Sequence, residues 1–223
     1  MGRSDLAIVI PAYNEADTIC DVISNAKIFG DIIVVDDCSK DETKIKVEST
    51  GVKLLSHCKN KGYESALSTG LSFAFANDYK YVVTFDADGE FSSSSIEQFL
   101  NLLKSGVQII IGKRDSKNRL IESYFGFLTV IFFGLKDPLC GMKGYSKSFY
   151  DKYKYFDSKK MVGTELLACS LRDKIEIKEV SVKVNKREGV SRYGGKISSF
   201  FKILRVIFLF FFISFNLFKS YDR

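Results

Sequence analysis

Five short apolar runs of β-type composition, Leu6 to Ile10, Ile32 to Val35, Val52 to Ser56, Tyr81 to Phe85 and Val107 to Ile111, alternate with helical patterns along the first half of the chain. The helical stretches fall at Glu15 to Phe29, Lys40 to Ser49, Tyr63 to Asn77 and Ser92 to Lys104. A parallel strand pair needs a crossover long enough to hold a helix. This alternation therefore predicts an α/β fold, a mainly parallel sheet flanked by helices on both faces. In such sheets the ligand crevice lies beyond the carboxyl ends of the strands. The polar residues that follow each run are the candidate functional residues.

They are Pro11-Ala12-Tyr13-Asn14-Glu15, Asp36-Asp37-Cys38-Ser39-Lys40-Asp41, His57 to Gly62, Asp86-Ala87-Asp88-Gly89-Glu90 and Gly112-Lys113-Arg114. The fourth group is the most specific. Side chains two apart on an extended backbone point the same way, so Asp86 and Asp88 can converge on one hard divalent cation, with Glu90 close by. A plainer reading exists for each group: Asp-x-Asp-Gly is also a turn, Asp37 also a helix cap, Lys61-Gly62 also a solvated loop and Arg114 also a surface charge. Their collection at one sheet edge favours function.

At 223 residues and 46% hydrophobic, the chain suits one core-bearing domain with additions. Five scattered cysteines without metal-ligand spacing read as reduced thiols. Too few residues precede the first strand for a signal peptide's apolar region, so a cytosolic setting is expected. The net charge of +6 is unevenly spread: residues 1–110 hold 10 Lys/Arg against 16 Asp/Glu, and residues 111–223 hold 23 against 11. A basic half can face an anionic membrane, a phosphorylated ligand or nucleic acid, but no nucleic-acid module is present and that partner is set aside. His57 is the sole histidine. A Ser-His or Cys-His hydrolase is thereby disfavoured.

Ile10-Pro-Ala-Tyr-Asn-Glu15, Val34-Val-Asp-Asp-Cys-Ser39, Asn60-Lys-Gly62 with Ala66-Leu67 and Gly70, Asp86-Ala-Asp-Gly89 and Asp137-Pro-Leu-Cys-Gly-Met-Lys-Gly-Tyr-Ser146 together resemble the inverting family 2 glycosyltransferases of GT-A fold. The chain looks most like the dolichol-phosphate mannose synthase group and its bacterial polyprenyl-phosphate relatives. The resemblance runs from about residue 6 to about residue 193, and it implies metal-dependent, inverting sugar transfer from a nucleotide sugar, GDP- or UDP-linked. By the same resemblance Pro11, Tyr13 and Glu15 shape the nucleotide pocket, Val35 and Asp37 hold base and ribose, and Lys61 belongs to the donor site. Asp86, Ala87 and Asp88 match the nucleotide-sugar and metal motif for Mg²⁺ or Mn²⁺. Asp88 is the first choice as direct ligand, and Glu90 stands where the nearest relatives carry Gln. Arg114 matches a basic residue near the donor phosphates or sugar. Lys186-Arg-Glu-Gly-Val-Ser-Arg192 resembles a late basic segment in which Arg187, or Lys186, and Arg192 stabilise the leaving diphosphate.

A hydroxyl acceptor requires a general base, whereas a phosphate acceptor is already ionised. Asp137 and Glu165 are the candidate bases, and Glu165 reads equally well as a helix-start residue. The acceptor implied is a polyprenyl phosphate. The alternatives are a glycan hydroxyl and a sugar-nucleotide-binding protein that has lost catalysis. A homo-oligomer is left open.

The expected organisation is a catalytic domain over 1–196 and a hydrophobic helix over 197–223. Lys202 and Arg205 interrupt that helix, and its uncharged part, Val206 to Phe218, covers only about 20 Å against a hydrocarbon core near 30 Å. An interfacial helix is favoured over a span, with a buried core helix as the plainer reading. A second apolar run, Tyr124 to Leu135, and neighbouring lysines and arginines suggest docking on the cytoplasmic face of an anionic membrane, the basic side chains reaching the headgroups.

Overall fold

The computed structural model describes residues 4–115, 120–185 and 196–215. Its strands are β1 (Leu6–Ala12), β2 (Asp31–Asp36), β3 (Lys53–Ser56), β4 (Tyr81–Thr84), β5 (Ile109–Arg114), β6 (Lys143–Ser146) and β7 (Ile177–Val182), in one sheet of order β3-β2-β1-β4-β6-β5-β7. The strands β1 to β4 run parallel, β6 is antiparallel to both β4 and β5, and β7 is parallel to β5. The central strand β1 is buried along its whole length. That is why its sequence is a continuous apolar run rather than an alternating one.

The helices between the strands are α1 (Ile19–Ala26), α2 (Thr43–Ser49), α3 (Tyr63–Ala76) and α4 (Ser95–Lys104). In α1 the buried residues Ile19, Val22, Ile23 and Ala26 form one helical stripe. Close approach sets α3: a Cβ at Gly70 would stand 2.3 Å from Val9 Cγ1, so only glycine lets this helix lie on β1. Beyond β5 come α5 (Leu120–Phe133), α6 (Lys147–Tyr153), α7 (Glu165–Arg172) and α8 (Lys196–Ser214).

Four strands and four helices lie where the alternation places them, with shorter helix starts. The fifth strand is displaced. It runs on through Lys113 and Arg114, because β7 pairs with those residues and satisfies their backbone groups. Arg114 is thus the end of a strand and not a loop residue.

The C-terminal helix has two apolar faces. Ile203, Val206, Ile207, Phe210 and Ile213 are buried in the common core, where Phe210 meets Phe125 of α5 edge to face at 5.2 Å. Phe201, Leu204, Phe208 and Phe215 are exposed. Two of its charges are turned toward the protein: Lys202 Nζ donates to Glu64 Oε1 of α3 (3.1 Å), and Arg205 donates to the carbonyls of Lys159 and Lys160 (3.0 and 3.3 Å). No helix among the described residues is long and apolar enough to cross a membrane.

Candidate active site

The loops after β1 and β2 are locked to one another. Asn14, in the left-handed region at φ 54°, donates its N–H to Ser39 Oγ (2.9 Å) and accepts from the Lys40 N–H (2.8 Å). The Glu15 N–H donates to Thr43 Oγ1 (2.7 Å). Tyr13 and Glu15 stand half-buried on this double loop, just past the buried Pro11. Val35 is fully buried, its Cγ2 only 3.2 Å from where a Cβ on Gly70 would be. Its side chain belongs to the α3 interface.

Asp37 is 3% exposed and anchors the β3–α3 loop. Its Oδ1 accepts from the Lys61 N–H (2.9 Å) and lies 2.6 Å from His57 Nδ1, while Oδ2 accepts from the Gly62 N–H (2.7 Å). His57 is braced in turn by Thr69 Oγ1 at 2.9 Å. Each carboxylate oxygen has two acceptor positions, so one on Oδ2 is left for a ligand. Lys61 enters this arrangement through its backbone, and the residue is exposed.

The carboxylate cluster follows β4. Thr18 Oγ1 donates to the Ala87 carbonyl (2.7 Å) and fixes the Asp86-Ala87-Asp88 segment against α1. Asp86 Oδ1 accepts from the Tyr63 hydroxyl (2.9 Å), and its Oδ2 lies where a Cβ on Gly141 would come within 2.3 Å. Asp88 is half-buried, and its Oδ1 accepts from the Glu90 N–H (3.0 Å) across Gly89 at φ 72°. The turn expected of this segment is formed, with one oxygen of Asp88 accepting its hydrogen bond. Glu90 is 8% exposed.

Burial first, then the charges of Asp88 and Glu90, push the Asp86 carboxyl up to about 7 against the opposing pull of Tyr63 and Lys143. Negative charge gathered in this way calls for a cation. No three His, Cys, Asp or Glu side chains converge on one point among the described residues. The set fits a Mg²⁺ or Mn²⁺ ion that takes one or two carboxylates from the protein and its other oxygens from phosphates and water. A cleft of about 440 Å³ opens beside Asp88, bounded by Thr18, Asp21, Phe91 and Asn185. Asn185 is tied to the carboxylate turn through its N–H to the Glu90 carbonyl (2.7 Å). Lys186, Arg187 and Arg192 lie outside the described residues.

The basic residue expected at the phosphates and one candidate base are spent on each other. Arg114 Nε and Nη2 donate to Asp137 Oδ2 and Oδ1 (2.8 and 3.0 Å), and Nη2 also reaches Glu122 Oε2 (3.3 Å). Burial works against the guanidinium's charge, but the Asp137 hydrogen bonds and charge outweigh it and hold Arg114 above its usual range. Asp137 is 1% exposed, with both oxygens filled by a permanent cation. The residue read as a base and the residue read as a phosphate contact are thus paired with each other in this structure.

Glu165, at the first position of α7, is 1% exposed. It accepts from Ser158 Oγ (2.7 Å) and the Lys159 N–H (2.8 Å) of the preceding loop, and makes no capping bond to its own helix. Its neighbour Asp157 accepts from the N–H groups of Met161 and Gly163 (2.8 and 2.7 Å). These carboxylates hold a segment in which Lys160 and Val162 adopt positive φ.

Two residues of the site carried no role in the sequence reading. Lys143, the first residue of β6, pairs with Thr84 and Ile111 in the flanking strands and is 3% exposed. Its Nζ donates to the Cys140 carbonyl (2.5 Å); burial lowers its proton affinity, against the charges of Cys140, Asp137 and Asp86. Tyr63 opens α3 and holds Asp86. Lys143 sat inside a recognised motif, whereas nothing in the sequence distinguishes Tyr63 from an ordinary helix residue.

The comparisons with known proteins agree with this geometry. The model for "Glycosyl transferase family 2" matches residues 7–161. The UDP-N-acetylglucosamine–dolichyl-phosphate N-acetylglucosaminyltransferase of Methanococcus voltae is 29% identical over 230 residues, covering 88% of this chain and 92% of that protein. The dolichyl-phosphate beta-glucosyltransferase of Saccharomyces cerevisiae is 24% identical over 229 residues, covering 82% and 68%. In fold, the chain resembles glucosyl-3-phosphoglycerate synthase from Mycobacterium tuberculosis, solved with Mn²⁺, UDP and glucosyl-3-phosphoglycerate, at a TM-score of 0.73 and 19% identity over 95% of this chain and 79% of that one. With the family match spanning well over half of the sequence and the carboxylate turn at the end of β4, the chain belongs to glycosyl transferase family 2 and is a glycosyltransferase of GT-A fold.

Proposed function

We propose that this enzyme transfers a sugar, with inversion, from a GDP- or UDP-linked donor to a lipid-linked phosphate of polyprenyl type. One observation carries the choice of acceptor. Both carboxylates available as bases, Asp137 and Glu165, are buried and engaged, by Arg114 and by Ser158 with the Lys159 N–H. An acceptor hydroxyl would need such a base, whereas a phosphate oxygen attacks already ionised. The relatives named above use dolichyl phosphate, which supports the same reading.

In this reading the double loop of Tyr13, Glu15 and Asp37 receives the nucleoside, and one or two of Asp86, Asp88 and Glu90 would hold Mg²⁺ or Mn²⁺. When bound, the ion offsets charge developing on the leaving group. The bond from the anomeric carbon to the diphosphate breaks, its electron pair leaving with the nucleoside diphosphate. A bond to the acceptor phosphate oxygen forms on the opposite face. The basic segment with Arg187 and Arg192 is assigned to the leaving diphosphate by resemblance alone.

A lipid acceptor also accounts for the exposed aromatic surface of α5 and α8. Phe127, Ile131 and Phe132 of α5, Phe201 and Phe208 of α8 and Phe215 just beyond it are all exposed, and Phe132 meets Phe215 at 5.7 Å. Contiguous apolar surface of this kind marks a membrane or partner contact. We assign it to peripheral docking on the cytoplasmic face of a membrane, in keeping with the basic second half of the chain and its free cysteines.

The test is transfer from UDP- and GDP-sugars, with Mn²⁺, to a short polyprenyl phosphate and, in parallel, to a glycoside. The expected product is an acid-labile sugar phosphate lipid. Transfer to the glycoside alone would replace this reading with glycan extension, and a protein that turns over no donor would be a binding protein.

A further inference from the structure

Three ties meet at the entry to α3. The N–H groups of Lys61 and Gly62 donate to Asp37 on the nucleoside side (2.9 and 2.7 Å). The hydroxyl of Tyr63 donates to Asp86 Oδ1 in the carboxylate cluster (2.9 Å), and Glu64 Oε1 accepts from Lys202 Nζ of α8 (3.1 Å). Consecutive residues thus address the nucleoside-side carboxylate, the metal-side carboxylate and the C-terminal helix. We propose that Tyr63 is a positioning residue for Asp86, kept in register by the Glu64–Lys202 pair. The inference rests on the reading of Asp86 and Asp88 as metal ligands.

The argument is geometric. Asp86 lies past the end of β4, and the terminal torsion of a carboxylate is soft. Here one oxygen carries the Tyr63 hydrogen bond and the other faces Gly141, where a Cβ would stand 2.3 Å away. A donor on one side and a wall on the other set the plane of the carboxylate. Tyr63 itself belongs to a helical turn and moves with it, and that turn is held at both sides of the ring's attachment, by Asp37 and by Lys202. Glu64 is 8% exposed while the Lys202 side chain is 39% exposed, so only the carboxylate end of this pair is sheltered from water. The consequence is that α8, through Lys202, takes part in the alignment of the metal site as well as in the core.

Partners that orient a metal ligand change affinity for the ion by roughly 10–100-fold when removed. The experiment counts free Mn²⁺ by electron paramagnetic resonance in titrations of the full chain, with Mn²⁺ alone and with UDP or GDP added. Metal-free binding of each nucleotide is measured beside it by calorimetry. Tyr63→Phe, which keeps the ring, should weaken Mn²⁺ binding by about tenfold and leave metal-free nucleotide binding within about twofold. Lys202→Met, on a partly exposed residue, should weaken Mn²⁺ to a smaller extent and should add nothing in the Tyr63→Phe background. Unchanged Mn²⁺ affinity in Tyr63→Phe would overturn the proposal. So would an equal loss of metal-free nucleotide binding, or a Lys202→Met effect that persists undiminished in the double variant. Wild-type protein that takes up no Mn²⁺ would remove the metal reading itself, and the inference with it.

Discussion

The carboxylates at the end of β4 and those beside β5 and α7 live under opposite conditions. Asp86, Asp88 and Glu90 repel one another, and the Asp86 carboxyl rises to about 7. Asp137 and Glu165 are as deeply buried as any acid in the described chain, yet each is closed off, the first by a two-pronged Arg114 and the second by a hydroxyl and a backbone N–H. Like charges gathered at one strand end suit a cation. Acids already matched hold the protein together. Position at a strand end or a helix start does not distinguish the two, and the partners do.

The sharpest way to break this contrast is Asp88→Ala. Turnover should fall by at least about 100-fold, the scale of losing a metal ligand's charge stabilisation, while the melting temperature stays level because mutual repulsion is relieved. Near wild-type turnover at saturating Mn²⁺ would end the metal assignment.

On the matched side, Asp137→Ala should cost about 3–5 kcal/mol of unfolding free energy, since it strands a buried guanidinium. The paired change Arg114→Met with Asp137→Leu should recover most of that loss in urea titrations. If Asp137→Asn instead stays stable and loses turnover with a changed pH profile, Asp137 is a base after all.

The two faces of α8 extend the comparison to apolar residues. Phe210→Ala should cost about 3–5 kcal/mol because it leaves a cavity against Phe125. Phe208→Ser should change stability by less than about 0.5 kcal/mol yet reduce sedimentation with anionic liposomes. Equal behaviour of the two variants in both assays would show that the faces are not divided in this way.

The smallest effect concerns pH. Burial first, then the charges of Glu165 and Glu64, push the Asp157 carboxyl up to about 6, despite the Met161 and Gly163 hydrogen bonds. Because its folded pKa lies above the unfolded one, the folded state binds the proton more tightly. Stability is therefore lost as pH rises from about 4 to about 6 and levels off above that. For this partly exposed group the change is on the order of 1–2 kcal/mol. Melting temperatures of wild type and Asp157→Asn should converge or diverge only across that window, and parallel curves would refute the assignment.

Much of the first half was legible because β1, β2 and β4 are buried runs with turn-forming residues directly after them. The other half was harder for physical reasons. β6 is a four-residue strand, Lys143 to Ser146, with no apolar pattern to announce it, and β7 lies beyond the last of the five apolar runs. The Arg114–Asp137 pairing is a choice among many opposite charges that sequence does not rank. Phenylalanines surround α8 so fully that its period does not reveal which face is inside. Tyr63 was silent because its partner is set by how α3 lies on the sheet, not by its neighbours in sequence.

The placement of β6 has a consequence for the order in which the protein is assembled. β5 pairs with β6 and β7 but not with β4, so β4 keeps a bare edge until Lys143 to Ser146 has been synthesised. A nascent chain that has emerged only through β5 already holds β3, β2, β1 and β4 with their carboxylate turn. It still lacks Gly141 and Lys143, which confine Asp86, and it exposes strand β4 to pairing with another chain. Closing that edge depends on a contact distant in sequence, a slow kind of step, and the vulnerable interval for aggregation therefore ends only when β6 slides in antiparallel beside β4.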